Sequence, residues 1–172
     1  VSNVGIGYVS LSALTTGVEN QAFGHYAGSA LTTGVSNTLV GHRAMVAATT
    51  AYSNVVIGKT AGDAMTTTSN NVLIGIDAGG AITTGYQHTA IGAYAMPNMT
   101  TNYRGTAVGA NSGGGAGDYN TSIGMESFAA NGTGGFNTCI GDKAGYAITS
   151  GDRNTCLGQT AGDNITTGAN NI

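Results

Sequence analysis

One stretch determines the fold, Asn154-Thr-Cys-Leu-Gly-Gln-Thr-Ala-Gly-Asp-Asn-Ile-Thr-Thr-Gly-Ala-Asn170, because the rest of the chain repeats it with variations. Ten units share its opening, an Asn (replaced by His88 and Gly105 in two units), two variable residues, an apolar residue and a closing Gly. Successive closing Gly residues lie 17 positions apart, except for one step of 15 between Gly109 and Gly124. A fixed period of this length is typical of stacked like units. We therefore predict an all-β fold, a parallel β-solenoid or β-roll of about ten 17-residue coils.

The composition bounds what such a chain can be. Of its 172 residues 30 are Gly, 8% are charged and none is Trp, with a net charge of -3. So few large apolar residues cannot build a globular core, so burial must be thin and repeated along the stack. We predict one repeat domain spanning 1–172, uncapped at both ends because both termini are in phase with the repeat. A shortened Gly-rich coil is expected at 105–119.

Two columns of the repeat are candidates for the interior. The residue before each closing Gly is always large and apolar, and we expect it to form the structural core: Ile6, Phe23, Val40, Ile57, Ile74, Ile91, Val108, Ile123, Ile140 and Leu157. A second apolar rank, seven positions after the Gly, should face it: Leu14, Leu31, Met65, Ile82, Met99, Ile148 and Ile165, with Ala48 and Ala116 as weaker members. The rank three positions after the Gly is small, mostly Ala, which lets two walls of the coil approach.

The strand-centre position, two before the Gly, is also apolar in several units, as at Leu39, Val56 and Leu73. Alternation along a strand points it away from the Ile rank. We expect one face to fill the coil and the other to meet another chain; the alternative is that a tight corner turns both inward. At the same position Cys139 and Cys156 lie one unit apart, where either a disulfide or two small buried thiols fits. We favour the buried thiols.

The Asn residues that open most units predict an Asn ladder along the axis, because stacked Asn side chains bond one another and their own turns. Its members are Asn3, Asn20, Asn37, Asn54, Asn71, Asn120, Asn137, Asn154 and Asn171. His88 takes the same place in its unit and is expected to bond as Asn would.

No residue pattern indicates catalysis, a metal or a cofactor, and we expect no enzyme. The cysteines lack further ligands at zinc spacing, and the eight acidic residues do not form the dense Asp/Gly pattern of calcium-binding β-helix repeats. Five scattered Lys and Arg give no basic stripe for nucleic acid. No apolar run approaches the roughly 18 residues that would insert in a membrane.

Taken as a pattern, Asn-Thr-Ala-Ile-Gly-x-x-Ala-x-x-x-x-Thr-Thr-Gly-x-x resembles the 17-residue repeat of phage tail-fibre and tail-fibre-like surface proteins. It is more distantly similar to the heads of trimeric autotransporter adhesins. The resemblance covers the whole chain and is strongest over Asn137–Ala144 and Asn154–Ala161. It implies a shaft or adhesive module without catalysis, as a parallel homotrimer on a virion or cell surface.

Two functions therefore follow as expectations. The first is an extracellular structural fibre whose partner is itself, as a homotrimer or an end-to-end filament. The alternative is an adhesin that presents a lateral face to a cell-surface receptor or glycan. Its candidate binding face is Tyr26, Arg43 and Tyr94, which share the column two positions after the Gly.

Overall fold

The computed structural model describes residues 2–115 and 117–172 of the chain. Ten strands of three residues each pair in parallel, in sequence order, to form one sheet. The β-solenoid prediction is confirmed. The strands are β1 (Val4–Ile6), β2 (Gln21–Phe23), β3 (Thr38–Val40), β4 (Val55–Ile57), β5 (Val72–Ile74), β6 (Thr89–Ile91), β7 (Thr106–Val108), β8 (Thr121–Ile123), β9 (Thr138–Ile140) and β10 (Thr155–Leu157).

The rest of each coil is made of bends and turns rather than strands. A line of isolated parallel bridges runs from Val18 to Tyr103 through one residue of each coil between them. The Thr-Thr pairs form a bend, and the hydroxyl of the first Thr donates to the next coil, as from Thr32 Oγ1 to the Thr49 carbonyl at 3.0 Å. Backbone and side-chain bonds therefore join consecutive coils on several sides.

The predicted core rank is wrong. The ten residues from Ile6 to Leu157 that precede the closing Gly point out of the coil, and none of them is buried in the chain. Their exposed fraction is 37% at Ile91 and Ile140 and rises to 59% and 64% at Ile6 and Leu157. In a three-residue strand the first and last side chains share one face, so burying the centre leaves both of them outside.

The interior is instead built from the strand-centre residue and from two columns beyond the closing Gly. The strand-centre residues from Ala22 to Cys156 are buried throughout. The predicted small rank is confirmed as interior, with the Ala residues from Ala27 to Ala144 fully buried. The second apolar rank is also interior, although Ala116 lies outside the described residues.

A further interior column lies four positions after the Gly. Met96 and Phe128, which follow the small strand-centre residues Ala90 and Ser122 by six positions, are both buried. Beside the larger Leu73 the column holds Gly79, where an added Cβ would lie 2.9 Å from a Leu73 methyl. In these three coils a large side chain at one position is paired with a small one at the other, which suits a closely packed interior.

The closing Gly is required by the approach of consecutive coils. At Gly75 the backbone has a φ of 137°, and an added Cβ would overlap the carbonyl group of Gly92 in the next coil. L-residues rarely adopt this conformation. The Gly column thus fixes the corner at which the sheet ends.

The Asn ladder is confirmed and forms a buried polar seam. Asn54 Oδ1 accepts from the backbone N–H of Asn71 at 3.1 Å and from its Nδ2 at 3.0 Å. Asn54 Nδ2 in turn donates to Asn37 Oδ1 at 2.9 Å and to the Thr68 carbonyl at 3.2 Å, in the corner of the next coil. Each Asn therefore satisfies the backbone of two coils at once.

The short coil at 105–119 follows a tighter path than the other coils at one corner, which we call the retracted corner. Gly114 and Gly115 are buried there, and a Cβ on either would overlap Ala129 or Phe128 of the following coil. Across the retracted corner, Asn98 Nδ2 donates to Asn131 Oδ1, two coils further on. The interior is polar at this level, with Ser122 and Ser127 hydroxyls 2.6 Å apart.

Candidate functional site

The candidate binding residues lie on the surface of one column but do not form one site. Tyr26 is half-buried, whereas Arg43 and Tyr94 are exposed, and all three have left-handed φ values of 56–59°. Tyr94 is three coils from Arg43, which is about 14 Å along the axis. The structure therefore keeps Tyr94 apart from the other two.

Tyr26 instead belongs to an aromatic cluster that sequence reasoning missed. Tyr8, His25 and His42 occupy the neighbouring column in three consecutive coils and stack, with centroids 5.3 and 5.2 Å apart and interplanar angles of 18° and 6°. The ring of Tyr26 meets His25 edge-on at 4.5 Å. The signal was present as Tyr, His, His at 17-residue spacing, one position after the Gly.

A second stack spans the short coil. The rings of Tyr119 and Phe136 are parallel within 4°, with centroids 4.9 Å apart. The Arg104 guanidinium lies 5.5 Å over the Tyr119 ring, and that of Arg153 lies 5.7 Å over the Phe136 ring. Each ring has a neighbour on both faces, although Tyr119 and Phe136 remain exposed. The evident role of the stack is to join four coils by cation–π and stacking contacts.

The outer face of the sheet is a continuous uncharged surface. Two side chains per strand point outward, the first of each strand (Thr in six strands, Val in three and Gln in one) and the last (Ile, Val, Leu or Phe). None of these twenty positions carries a charge. The column that was predicted to fill the coil is thus the apolar column of the outer face, and the strand-centre column fills the coil instead.

His88 continues the Asn ladder with a ring in place of an amide. Its backbone N–H donates to Asn71 Oδ1 at 2.9 Å, Nδ1 accepts from the Gly105 N–H at 3.2 Å, and Nε2 lies 2.7 Å from the Asn102 carbonyl. These contacts assign the neutral tautomer with its proton on Nε2. His88 therefore bonds as Asn would, which the sequence predicted. Burial lowers the pKa of His88, although its hydrogen bond to the Asn102 carbonyl acts in the opposite direction.

The two cysteines are interior side chains, as we favoured from the sequence. Both are free and buried, and they are direct partners in the pairing of β9 with β10. Burial raises the pKa of the Cys139 thiol to about 12, and the neighbouring Cys156 adds to this effect. The thiolate is the nucleophile and metal ligand, so neither role suits Cys139 near neutral pH.

Within residues 2–115 and 117–172, no three His, Cys, Asp or Glu side chains gather closely enough to hold a metal ion. The same part of the chain contains no helix of the length and hydrophobicity needed to cross a membrane. A cavity of about 410 Å³ opens beside β10, lined by Cys156, Ala161 and Ile165 among others. These columns are covered by the following coil elsewhere, so the cavity is the open interior of the last coil.

Beyond the interior, the structure thus offers three surface features: the aromatic cluster of coils 1–3, the four-residue stack across the short coil and the uncharged sheet face. Comparison with known proteins adds no family to these features, since no family model, no curated protein and no solved structure matches the chain.

Proposed function

We propose that this chain is a structural shaft, a stiff non-catalytic spacer that lies outside the cell, on a virion or cell surface. One observation carries the proposal. The sheet stays in register through all ten strands, and the interior columns and the Asn seam are occupied by contacts between consecutive coils. A rod held together in this way transmits position and force along its axis, which is what a shaft does.

The extracellular placement rests on the resemblance to tail-fibre-like repeats and belongs to the proposal. Self-association, as a homotrimer or a filament, is likewise part of the proposal. A shaft that carries load benefits from lateral neighbours, because each coil of a solenoid is otherwise stabilised only by the two coils beside it.

The distance between two spin labels tests the shaft directly. Labels on Cys substitutions of the exposed Thr33 and Thr167 lie eight coils apart, which is about 38 Å along the axis at a strand spacing near 4.8 Å. The native thiols are first replaced by residues found in the same column, Cys139→Val and Cys156→Ala. A narrow distribution near this distance, measured in an excess of unlabelled protein, supports a rigid shaft.

A broad distribution would contradict the shaft, because it would show coils that separate or bend independently. The pair Thr33→Cys and Thr84→Cys is the matched control, three coils apart and about 14 Å by the same spacing. Its distribution gives the width contributed by the labels themselves.

The alternative function, a lateral binding face, is favoured by the aromatic cluster of Tyr8, His25, Tyr26 and His42. Aromatic rings beside a cation, here Arg43, suit a glycan, since sugars stack on ring faces and accept charged hydrogen bonds. Saturable glycan binding that Tyr8→Ala and Tyr26→Ala both remove would make the chain an adhesin. Binding unaffected by these variants would leave this cluster without that role.

A further inference from the structure

We propose that the outer face of the sheet docks the same face of a second copy of this chain. The inference rests on the proposed structural function and adds to it a lateral pair of shafts, because a contact between identical faces closes at two chains. We define the sheet face as the twenty outward side chains of β1–β10, two per strand.

The first argument is burial. The residues that precede the closing Gly are large and apolar, yet Phe23, Ile91, Ile123 and Ile140 are each 37–38% exposed. Such a side chain in one isolated place needs no explanation, but here an outward apolar side chain ends every strand and is exposed in six of the ten and part-exposed in the other four. A continuous apolar patch of this length marks a contact surface.

The second argument is the distribution of charge. All thirteen charged residues lie outside the strands. The columns that flank the sheet face on its two sides contain both signs, such as Lys59 and Asp142 on one side and Glu19 and Arg104 on the other. An apolar centre with a polar, charged rim is the arrangement found in protein interfaces.

The third argument is the spacing of the rows along the sheet face, which indicates that the docking partner is a second copy of this chain. Every row of the sheet face repeats the one before it at the separation of paired strands, about 4.8 Å. Side chains that repeat at this interval interdigitate along their whole length only with a surface of the same interval, as facing sheets do in steric zippers. The surface known to have that interval over ten rows is another copy of this chain.

The area suffices for a stable contact. Ten rows make a face about 43 Å long, and five residues per coil, counting one flanking residue on each side of the strand, make it about 16 Å wide. This is roughly 700 Å² per copy and about 1,400 Å² for a pair, within the range of specific protein interfaces.

Sedimentation of the intact chain and of two double variants tests the proposal. Ile57→Lys with Ile74→Lys places two charges on neighbouring strands of the sheet face. Thr67→Lys with Thr84→Lys places the same charges on exposed corners of the corresponding coils and is the matched control. We expect the wild type and the control to associate alike, and the sheet-face variant to associate at least 100-fold more weakly with an unchanged far-UV circular dichroism spectrum.

A wild type that sediments as a single chain at every concentration would overturn the proposal, and so would a sheet-face variant that associates as the wild type does. If the lysine pair alters the spectrum, Ile57→Ser with Ile74→Ser replaces it, and the same outcomes decide. Failure here is distinct from failure of the shaft, since a single chain with a narrow spin-label distribution refutes the docking and leaves the shaft intact.

Discussion

At the scale of single residues, the buried side chains of the Asn ladder and its His88 member each serve two neighbouring coils. Asn54 bonds both Asn37 and Asn71, and His88 reproduces the same acceptor and donor positions with its two ring nitrogens. A buried group that lost one of these partners would cost about 1–3 kcal/mol. The seam is therefore tolerant of Asn or neutral His and intolerant of a protonated ring, which has no acceptor.

This leads to a prediction on pH. Because burial lowers the pKa of His88 in the folded chain, the unfolded chain binds the extra proton in mildly acidic solution. The stability that neutral His88 provides is thus complete above the unfolded pKa near 6.5 and is lost as pH falls below that value toward the folded pKa. We expect His88→Asn to remove this component, so urea unfolding at pH 7.5 and 5.5 should show a smaller loss for the variant than for the wild type.

The mirror variant Asn54→His is the control, since it places a second ring in the seam and should steepen the same pH dependence. Equal pH dependence of the wild type and His88→Asn would show that His88 does not titrate differently on folding.

At the scale of the strand, a single residue separates the inside of the coil from the outside. Leu73 at the centre of β5 is fully buried, whereas its neighbour Ile74 is part-exposed. We expect Leu73→Ala to lower the free energy of unfolding by about 2–5 kcal/mol, the usual cost of emptying a packed core site. Ile74→Ala should cost less than Leu73→Ala, because its side chain is part-exposed and its removal leaves no enclosed cavity.

Urea unfolding at a concentration where sedimentation shows a single chain measures both costs. If Ile74→Ala lowers the free energy of unfolding as much as Leu73→Ala or more, Ile74 packs in the interior and the assignment is wrong. A cost that appears only at high concentration would instead report contact between chains.

The strands also show which parts of the structure could be predicted from the sequence. The period, the ladder with its His88 member, the small rank and the buried thiols were all predictable, because each depends on one residue type recurring at one position. Which side of the strand faces inward was not predictable from the sequence. Both faces of β4 and β5 are apolar, so hydrophobicity does not distinguish them. Size does not distinguish them within β5 either, since Leu73 inside and Ile74 outside are isomers. The columns differ only when all units are compared: the centre includes small residues such as Ala90 and Ser122, whereas the last strand position is always large.

The surface sites were harder to predict for a related reason. A column of the repeat indicates which residues are neighbours but not which rings turn toward one another. The stack of Arg104, Tyr119, Phe136 and Arg153 depends on the left-handed conformation that all four share, with φ values of 56–60°. That shared conformation points successive side chains along one line, and the residue types at these positions do not predict it.

At the scale of the whole molecule, contacts run between consecutive coils, so stability should be a sum over units and their interfaces. Deleting residues 137–153 removes one 17-residue unit and joins Phe136 to Asn154. The new neighbours are of the same kind as the old, with Cys156 in place of Cys139 and Ile165 in place of Ile148. We expect the shortened chain to fold and to unfold cooperatively, with a urea m-value lower by about one tenth.

Deleting residues 137–145 is the contrasting control. It removes about half a unit, so residues 146–172 no longer continue the columns of the coils before them. We expect the first eight coils to keep a cooperative transition and the m-value to fall further, by about one fifth, because the chain after residue 136 loses its pairing. Failure of the 17-residue deletion to fold would show that the coils are not interchangeable and that the period alone does not define the unit.

The retracted corner of the short coil has a consequence for alignment. Nine of the ten units present nearly the same outline, so two rods lying side by side would match almost equally well after sliding by one unit, or by several. The notch that Asn98 and Asn131 span lies outside the sheet face and occurs at one level of the described residues. A partner molecule that fits this corner would therefore bind at one height along the rod, whereas a partner of the repeated surface could bind at many.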